Sequence, residues 1–437
     1  MTHLRPDCLA ALLCALALSA CAAAGPVAVT PAAPDPRDAF FAVPADPGAA
    51  LPAEGIYPRG RRMAFMGYSG KPERDLTRGF SVAGPVYGNQ DGYVQGCIDR
   101  HQPVVVQVRA AESFNDKVKR PVYDPAKAAQ TAKAIVARWA KHNEVVWWAI
   151  EPEELRPWRK DEMAYLAQVA GAIREADPQK RPVFIYNPNN RDAGSLAAIA
   201  KHVDILGKGA YVNSWGAKNA RAWVRWSIDQ ETAAAKGADH PVTPIVMPEL
   251  CADPAPAEDA LIESWVRHDV YLGLSSGAQG VLIWSLFPRG GVKRTWGVWY
   301  EAYARCGREL GQERKLGEVF LFGAPRSDIR VKPADGAKQA AALVVGGEHG
   351  ETETTSAAER ASRQVDMANV TVCERAFGAK RYLFVVNSTG APRAFEAAGW
   401  PAGVRMSDVF TGQPLPGGQA LQLNLPAWGV AGVVLER

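Results

Sequence analysis

The chain has 437 residues, 47% of them hydrophobic and 22% charged, and a formal net charge of +4. That balance belongs to a globular protein rather than a disordered one, and a small charge with no dense Lys/Arg block removes the electrostatic case for a nucleic-acid partner. The seven histidines include no HExxH, and no CxxC or Cys/His spacing marks a zinc site, so no metal and no cofactor is expected.

The N-terminus reads as a targeting segment. Arg5 precedes an apolar run over 8–21, "CLAALLCALALSAC", too short to span a bilayer. Its end, Leu18-Ser19-Ala20-Cys21, resembles the lipobox of bacterial lipoproteins. The resemblance implies a signal peptide over 1–20 and a lipid on Cys21. With Ala22 following rather than Asp, it also implies an outer-membrane lipoprotein on the periplasmic or surface face, held to the membrane by that anchor alone. Residues 22–60 are rich in Ala, Pro and Gly, so 21–60 reads as anchor and tether. Cys8 and Cys14 leave with the signal. Cys97, Cys251, Cys306 and Cys373 remain, and an oxidising compartment allows them three complete disulfide pairings.

From residue 61 short β-rich runs alternate with stretches of helical periodicity. Strands are expected over 61–70, 79–88, 103–110, 144–154, 181–189, 204–213, 243–250 and 278–287. Helices are expected over 125–142, 161–176, 193–203, 220–236, 257–277 and 298–312. Alternating β and α units imply a parallel sheet, and eight units in about 250 residues match a closed (β/α)8 barrel over 61–314. An open doubly wound sheet is the alternative, but no Gly-rich phosphate turn follows the first strand. Past 315 short strands with Gly/Pro turns (380–390, 393–399, 404–416, 420–437) suggest a small antiparallel β-sandwich over 315–437, with polar 347–364 as an exposed loop.

In such a barrel the active site sits at the C-terminal ends of the strands. The fourth strand, "EVVWWAIEPEE", ends in Glu151, Pro152, Glu153 and Glu154, and the seventh, "TPIVMPEL", ends in Glu249. These two strand ends lie three βα units apart, across the barrel. Two facing carboxyls suit glycoside hydrolysis: one protonates the leaving oxygen, and the other attacks the anomeric carbon or activates water, at a separation of roughly 5–5.5 Å or 6.5–9.5 Å respectively. Side-chain alternation sends Glu151 and Glu153 to one side and Glu154 to the other, demoting Glu154.

This layout resembles clan A of the glycoside hydrolases. Those barrels carry an acid/base Glu at the end of strand four, often as Asn-Glu-Pro, and a nucleophilic Glu at the end of strand seven. A Tyr stands near the end of strand six and a Trp at strand eight. The resemblance implies Glu151 or Glu153 as acid/base, with Trp148 five residues before Glu153 favouring the latter, and Glu249 as nucleophile. It implies Tyr211 and Trp284 as sugar contacts. Tyr68, Arg109, Tyr186, Asn187 and Lys208 stand at or near other strand ends and join them as candidate binding residues. Trp215 and Trp296 are further subsite candidates. The implied function is hydrolysis of a poly- or oligosaccharide by a two-carboxylate, retaining mechanism. The Asn before the acid is absent, since Ile150 or Pro152 stands in its place. That departure favours the alternative of a non-catalytic glycan-binding or polysaccharide-assembly lipoprotein on a degenerate barrel. Each residue also has a purely structural reading. Glu153 and Glu154 could be first-turn helix acids paired with Arg156 or Arg159, Arg109 an ion pair with Glu112 or Asp116, Lys208 a salt bridge to a nearby Glu, and Tyr211 and Trp284 core aromatics.

Overall fold

A computed structural model describes residues 35–42, 53–111, 113–115, 120–122, 124–213, 221–334, 340–345, 361 and 363–437. The signal segment, Cys21, Glu112, Asp116, Trp215 and most of 347–364 lie outside the described residues.

Seven parallel strands form one curled sheet. In chain order they are Ala64–Gly67, Val104–Arg109, Val145–Glu151, Val183–Asn187, Ile205–Ala210, Thr243–Pro248 and Gly280–Ile283, the last pairing back onto the first. The run expected as a second strand over 79–88 makes only a single bridge, Ala83 to Val104. It still closes the barrel: the Ser81 amide donates to the Phe65 carbonyl and the Val105 amide to that of Ala83, at 2.9 Å each. Gly84 allows this approach, because a Cβ there would lie 2.3 Å from the Gly67 carbonyl oxygen. The eight staves are thus seven strands and one irregular segment, and staves four and seven below are Val145–Glu151 and Thr243–Pro248.

Alternation sorts each stave's side chains. Trp147 and Ala149 point into the barrel with Val105, Phe184, Ile245 and Met247, whereas Trp148 and Ile150 face the helix layer. The two tryptophans find different partners for their N–H groups, the Tyr57 carbonyl at 3.2 Å for Trp147 and the buried Asp177 carboxylate at 2.9 Å for Trp148. The outer helices start where the sequence supplies caps: Asp124 accepts from the Ala126 and Lys127 amides ahead of Pro125–Trp139, and Asp192 from the Ser195 amide ahead of Ala193–Ala200.

The C-terminal region is a sandwich of a five-stranded and a three-stranded sheet. Leu383, Val385 and Leu435 of the first pack against Phe395, Leu421 and Leu423 of the second. Its other face joins the barrel. Tyr271, on the barrel helix Ile262–Ser275, stacks on Phe384 with ring centroids 6.1 Å apart, and Phe320 lies 4.6 Å from the same ring. The segment expected to be pure tether contains a short helix, Pro36–Phe41, which buries Phe40 and Phe41 in the sandwich core. Arg381 fixes it, donating to the Phe40 carbonyl while its guanidinium lies 4.2 Å from the Phe40 ring centroid. The tether reading is therefore corrected for 35–42. The low-complexity composition concealed two aromatics in a row after an Asp-Pro helix start.

The disulfide expectation is also corrected. Cys97, Cys251, Cys306 and Cys373 are all free thiols, and all but Cys251 are buried. Cys97 packs in the barrel's outer layer, while Cys306 lies on a barrel helix and Cys373 on a sandwich strand. Among the described residues no helix is long and apolar enough to cross a membrane.

Candidate active site

The strand of stave four ends at Glu151, and the chain then leaves the pleat. The Glu151–Pro152 bond is cis and Glu154 takes a left-handed φ of 60°. Glu151 accepts from the Nε2 amide of Gln107, a fully buried side chain whose Oε1 accepts in turn from Arg109 at 2.8 Å. Gln107 is held through its backbone by Gln90, which accepts from its amide at 2.7 Å and donates to its carbonyl at 2.9 Å. Burial pushes the Glu151 carboxyl up to about 7, against the opposing pull of Arg109 and Gln107. Glu153 is pushed well above the usual carboxyl range, first by burial and then by the neighbouring Glu151 charge. The Tyr87 hydroxyl lies 3.5 Å from its Oε2. A carboxyl kept protonated near neutrality can serve as a general acid.

Glu249, one residue beyond stave seven, is 1% exposed. One oxygen accepts from the Asn213 backbone N–H, the other lies 3.5 Å from the Cys251 thiol, and its carbonyl accepts from the Tyr303 hydroxyl at 2.7 Å. Behind Asn213 runs a buried polar chain. Arg221 donates to the Asn213 side chain at 2.9 Å and to both oxygens of Asp269. His268 Nδ1 is 2.8 Å from Asp269, and its Nε2 is 3.0 Å from Ser388 of the sandwich. Glu249 is thereby tied, through groups away from solvent, to the domain junction.

A cleft of about 390 Å³ opens at this end of the barrel, lined by Tyr87, Glu153, Glu154, Tyr186, Tyr211, Cys251, Trp284 and Arg289. Its size is that of a small-ligand site. The aromatic wall is continuous: Tyr186 stacks on Tyr211 at 6.3 Å, Tyr211 lies 5.4 Å from Trp284, and the Trp284 N–H donates to the Tyr87 hydroxyl at 3.1 Å. Gly209 makes room for it, since a Cβ there would stand 2.9 Å from the Tyr211 ring. Tyr68, 1% exposed, lies beneath Tyr87, with the rings stacked at 5.3 Å. Arg109 holds the Tyr87 loop by donating to the carbonyls of Val86 at 2.8 Å and Gly88 at 3.3 Å.

The candidates thus divide. Glu153, Tyr186, Tyr211 and Trp284 meet in the cleft, with Glu151, Tyr68 and Arg109 directly behind. Glu249 is not among the lining side chains; Cys251 is. Asn187 and Lys208 lie elsewhere. Asn187 is fully buried and donates to the carbonyls of Ile185 and Gly207 at 3.3 Å each. Lys208 points outward, its ammonium 2.8 Å from Ser227 and 4.0 Å from the Trp226 ring, near enough to Glu231 to oppose the effect of burial on that carboxyl. Trp296 stacks on Tyr300 at 5.0 Å, outside the cleft. Glu154, demoted by strand alternation, lines the cleft, because the pleat stops at Glu151. Sequence reasoning missed Gln107, Tyr87, Arg289 and Cys251. Only Gln107 carried a signal, as a polar residue at an inward position of "VVVQVR".

Among the described residues no cluster of three His, Cys, Asp or Glu side chains is arranged to hold a metal ion. No family model and no characterised protein matches the chain by sequence. The fold has solved counterparts. It is similar to a β-galactosidase from Bacillus circulans sp. alkalophilus (TM-score 0.53, 10% identity, covering 86% of this chain and 99% of that one). It is also similar to an Anoxybacillus α-amylase (TM-score 0.50, 9% identity, 86% and 96%). At such identities the likeness establishes the architecture: a (β/α)8 barrel with a C-terminal β-domain, of the kind glycoside hydrolases use. That is the fold expected from the clan A resemblance.

Proposed function

We propose that the protein is a glycoside hydrolase acting on a poly- or oligosaccharide in the aromatic cleft. The observation that carries this reading is the Glu153 carboxyl on the cleft wall, among four aromatic rings, where desolvation pushes it toward its protonated form. In this mechanism the Glu153 O–H protonates the glycosidic oxygen as the C–O bond breaks. Glu249, which accepts from the Asn213 amide, attacks the anomeric carbon, and Glu153 then deprotonates the water that releases the sugar. Glu151 sets the charge beside Glu153 and is the alternative acid. The lipobox-like 18–21 supports a location in the cell envelope, with Cys21 as the outer-membrane anchor.

The test is reducing-end release across a glycan panel by the wild type and by Glu153→Gln, Glu151→Gln and Glu249→Gln. Loss of turnover in Glu249→Gln and in one of the other two, with folding retained, is the expected outcome. Full turnover in all three variants would refute the mechanism. One observation favours a second reading, a glycan-binding protein without catalysis: Glu249 sits behind Cys251 rather than on the cleft surface. That reading predicts calorimetric glycan binding with no reducing ends released.

A further inference from the structure

Four buried arginines among the described residues pair with acids. Arg156 with Glu162, Arg181 with Asp177, Arg221 with Asp269 and Arg381 with Glu374 are all buried ion pairs. A guanidinium left without an anion in such surroundings carries an uncompensated desolvation cost. Arg289, half-buried at the cleft, has no such partner. It lines the cleft, with its guanidinium 3.9 Å from the Trp284 ring centroid. It donates to the Leu250 carbonyl at 3.0 Å, its Nε is buried with no partner, and among the described residues it has no carboxylate. Of its five N–H donors, one is used among the described residues. Arg109, also near the cleft, is different, since Val86, Gly88 and Gln107 occupy it.

We propose that Arg289 binds an anionic substituent on the saccharide, so that the cleft selects acidic glycans, with a uronate carboxylate as the matching group. This inference rests on the glycoside hydrolase reading and narrows its substrate. Three features support it. The guanidinium is pre-positioned by its stacking on Trp284 and by the Leu250 carbonyl, so little side-chain entropy remains to be lost on binding. Its planar fork matches a carboxylate. The stacked arginine also takes up one face of Trp284, so the ring presents a cation toward the ligand rather than a bare apolar platform.

The test is calorimetric binding by the full chain, carrying Glu153→Gln to suppress turnover. The ligands are uronate-containing oligosaccharides, the same oligosaccharides after carboxyl reduction, and sulfated oligosaccharides free of uronate. Carboxyl reduction preserves linkage and length while removing the charge. The expected result is at least tenfold tighter binding of some uronate ligand than of its reduced form, with the preference erased by Arg289→Gln and retained in part by Arg289→Lys. Should Arg289→Gln unfold, the wild-type preference and its weakening with salt still decide the matter. Equivalent charge selection on sulfated ligands alone would assign the same arginine to a sulfate ester. Equal binding of native and reduced glycans would overturn the proposal while leaving the glycosidase reading in place. Binding to no glycan would defeat both.

Discussion

Replacing Arg221 with Ala should destabilise the protein by about 3–5 kcal/mol, the range for removing one partner of a buried ion pair. The structure places this substitution in that range. Arg221 is fully buried and Asp269 is 1% exposed. The guanidinium engages both Asp269 oxygens, donates to Asn213 and lies 4.9 Å from the Trp265 ring centroid. Its loss leaves a carboxylate out of water with His268 beside it, and burial lowers the pKa of that imidazole, so it supplies a hydrogen bond in place of a charge. The matched control is Arg78 with Glu301, a pair of similar length at 2.9 Å whose side chains are 52% and 49% exposed; Arg78→Ala should cost less than about 1 kcal/mol. Urea unfolding followed by tryptophan fluorescence gives both values as midpoint shifts at constant slope. The double replacement Arg221→Met with Asp269→Leu should recover much of the loss, because it removes both desolvated charges. If Arg221→Ala costs no more than Arg78→Ala, the buried chain behind Glu249 contributes nothing to holding that region, and the reasoning fails.

The remaining predictions use other parts of the molecule. Glu151 titrates near 7 when folded and near 4.5 when unfolded, so its contribution is fully present below about pH 4.5 and is lost as pH rises toward 7. Glu151→Gln should therefore gain stability over the wild type across that interval, by up to about 3 kcal/mol, and the difference should stay flat above it. Lys208→Met should lower the urea midpoint by leaving Glu231 buried without its cation, while glycan binding is unchanged, because the ammonium faces the helix layer. Phe40→Ala and Phe41→Ala should each cost about 3–5 kcal/mol in the sandwich core, measurable as earlier thermal unfolding; a true tether would show no change. Thiol labelling of the native protein should modify Cys251 ahead of Cys97, Cys306 and Cys373, which should react only on denaturation.

Much of the barrel was legible in the sequence because its signals are periodic. Runs such as "VVVQVR" and "PIVMP" read as staves, and the 98 residues from Glu151 to Glu249, about 33 for each of three units, carry the eightfold closure. The stave that failed was 79–88. Its closure depends on Gly84 approaching the Gly67 carbonyl, a contact between backbones that no side-chain pattern records. The sandwich was legible only from 380 onward, its strands Ala324–Arg326, Arg330–Pro333 and Val370–Phe377 having gone unread; the helix at 36–41 was not legible, since two phenylalanines in an Ala/Pro-rich segment have no period to reveal their partner.

The site follows the same division more sharply. Alternation separates Trp147, which faces inward, from Trp148, which faces outward, and it holds as far as Glu151, the last residue whose backbone is strand. Applied consistently it would have excluded Asn187 and Lys208, since Tyr186 and Gly207 already occupy the inward parity beside them. Past Glu151 the rule has no physical basis: Glu154 is left-handed, and its side chain comes back to the cleft that parity denied it. Tyr87, Cys251 and Arg289 likewise stand beyond strand ends, where position is set by individual contacts such as the Arg109 hold on Val86 and Gly88. The barrel's period thus selects which staves bring acids to the rim, while the groups that set substrate preference and proton affinity lie in the first few residues after the period ends. A search for the specificity of this fold from sequence should therefore weigh the polar and aromatic residues just past each stave above those within it.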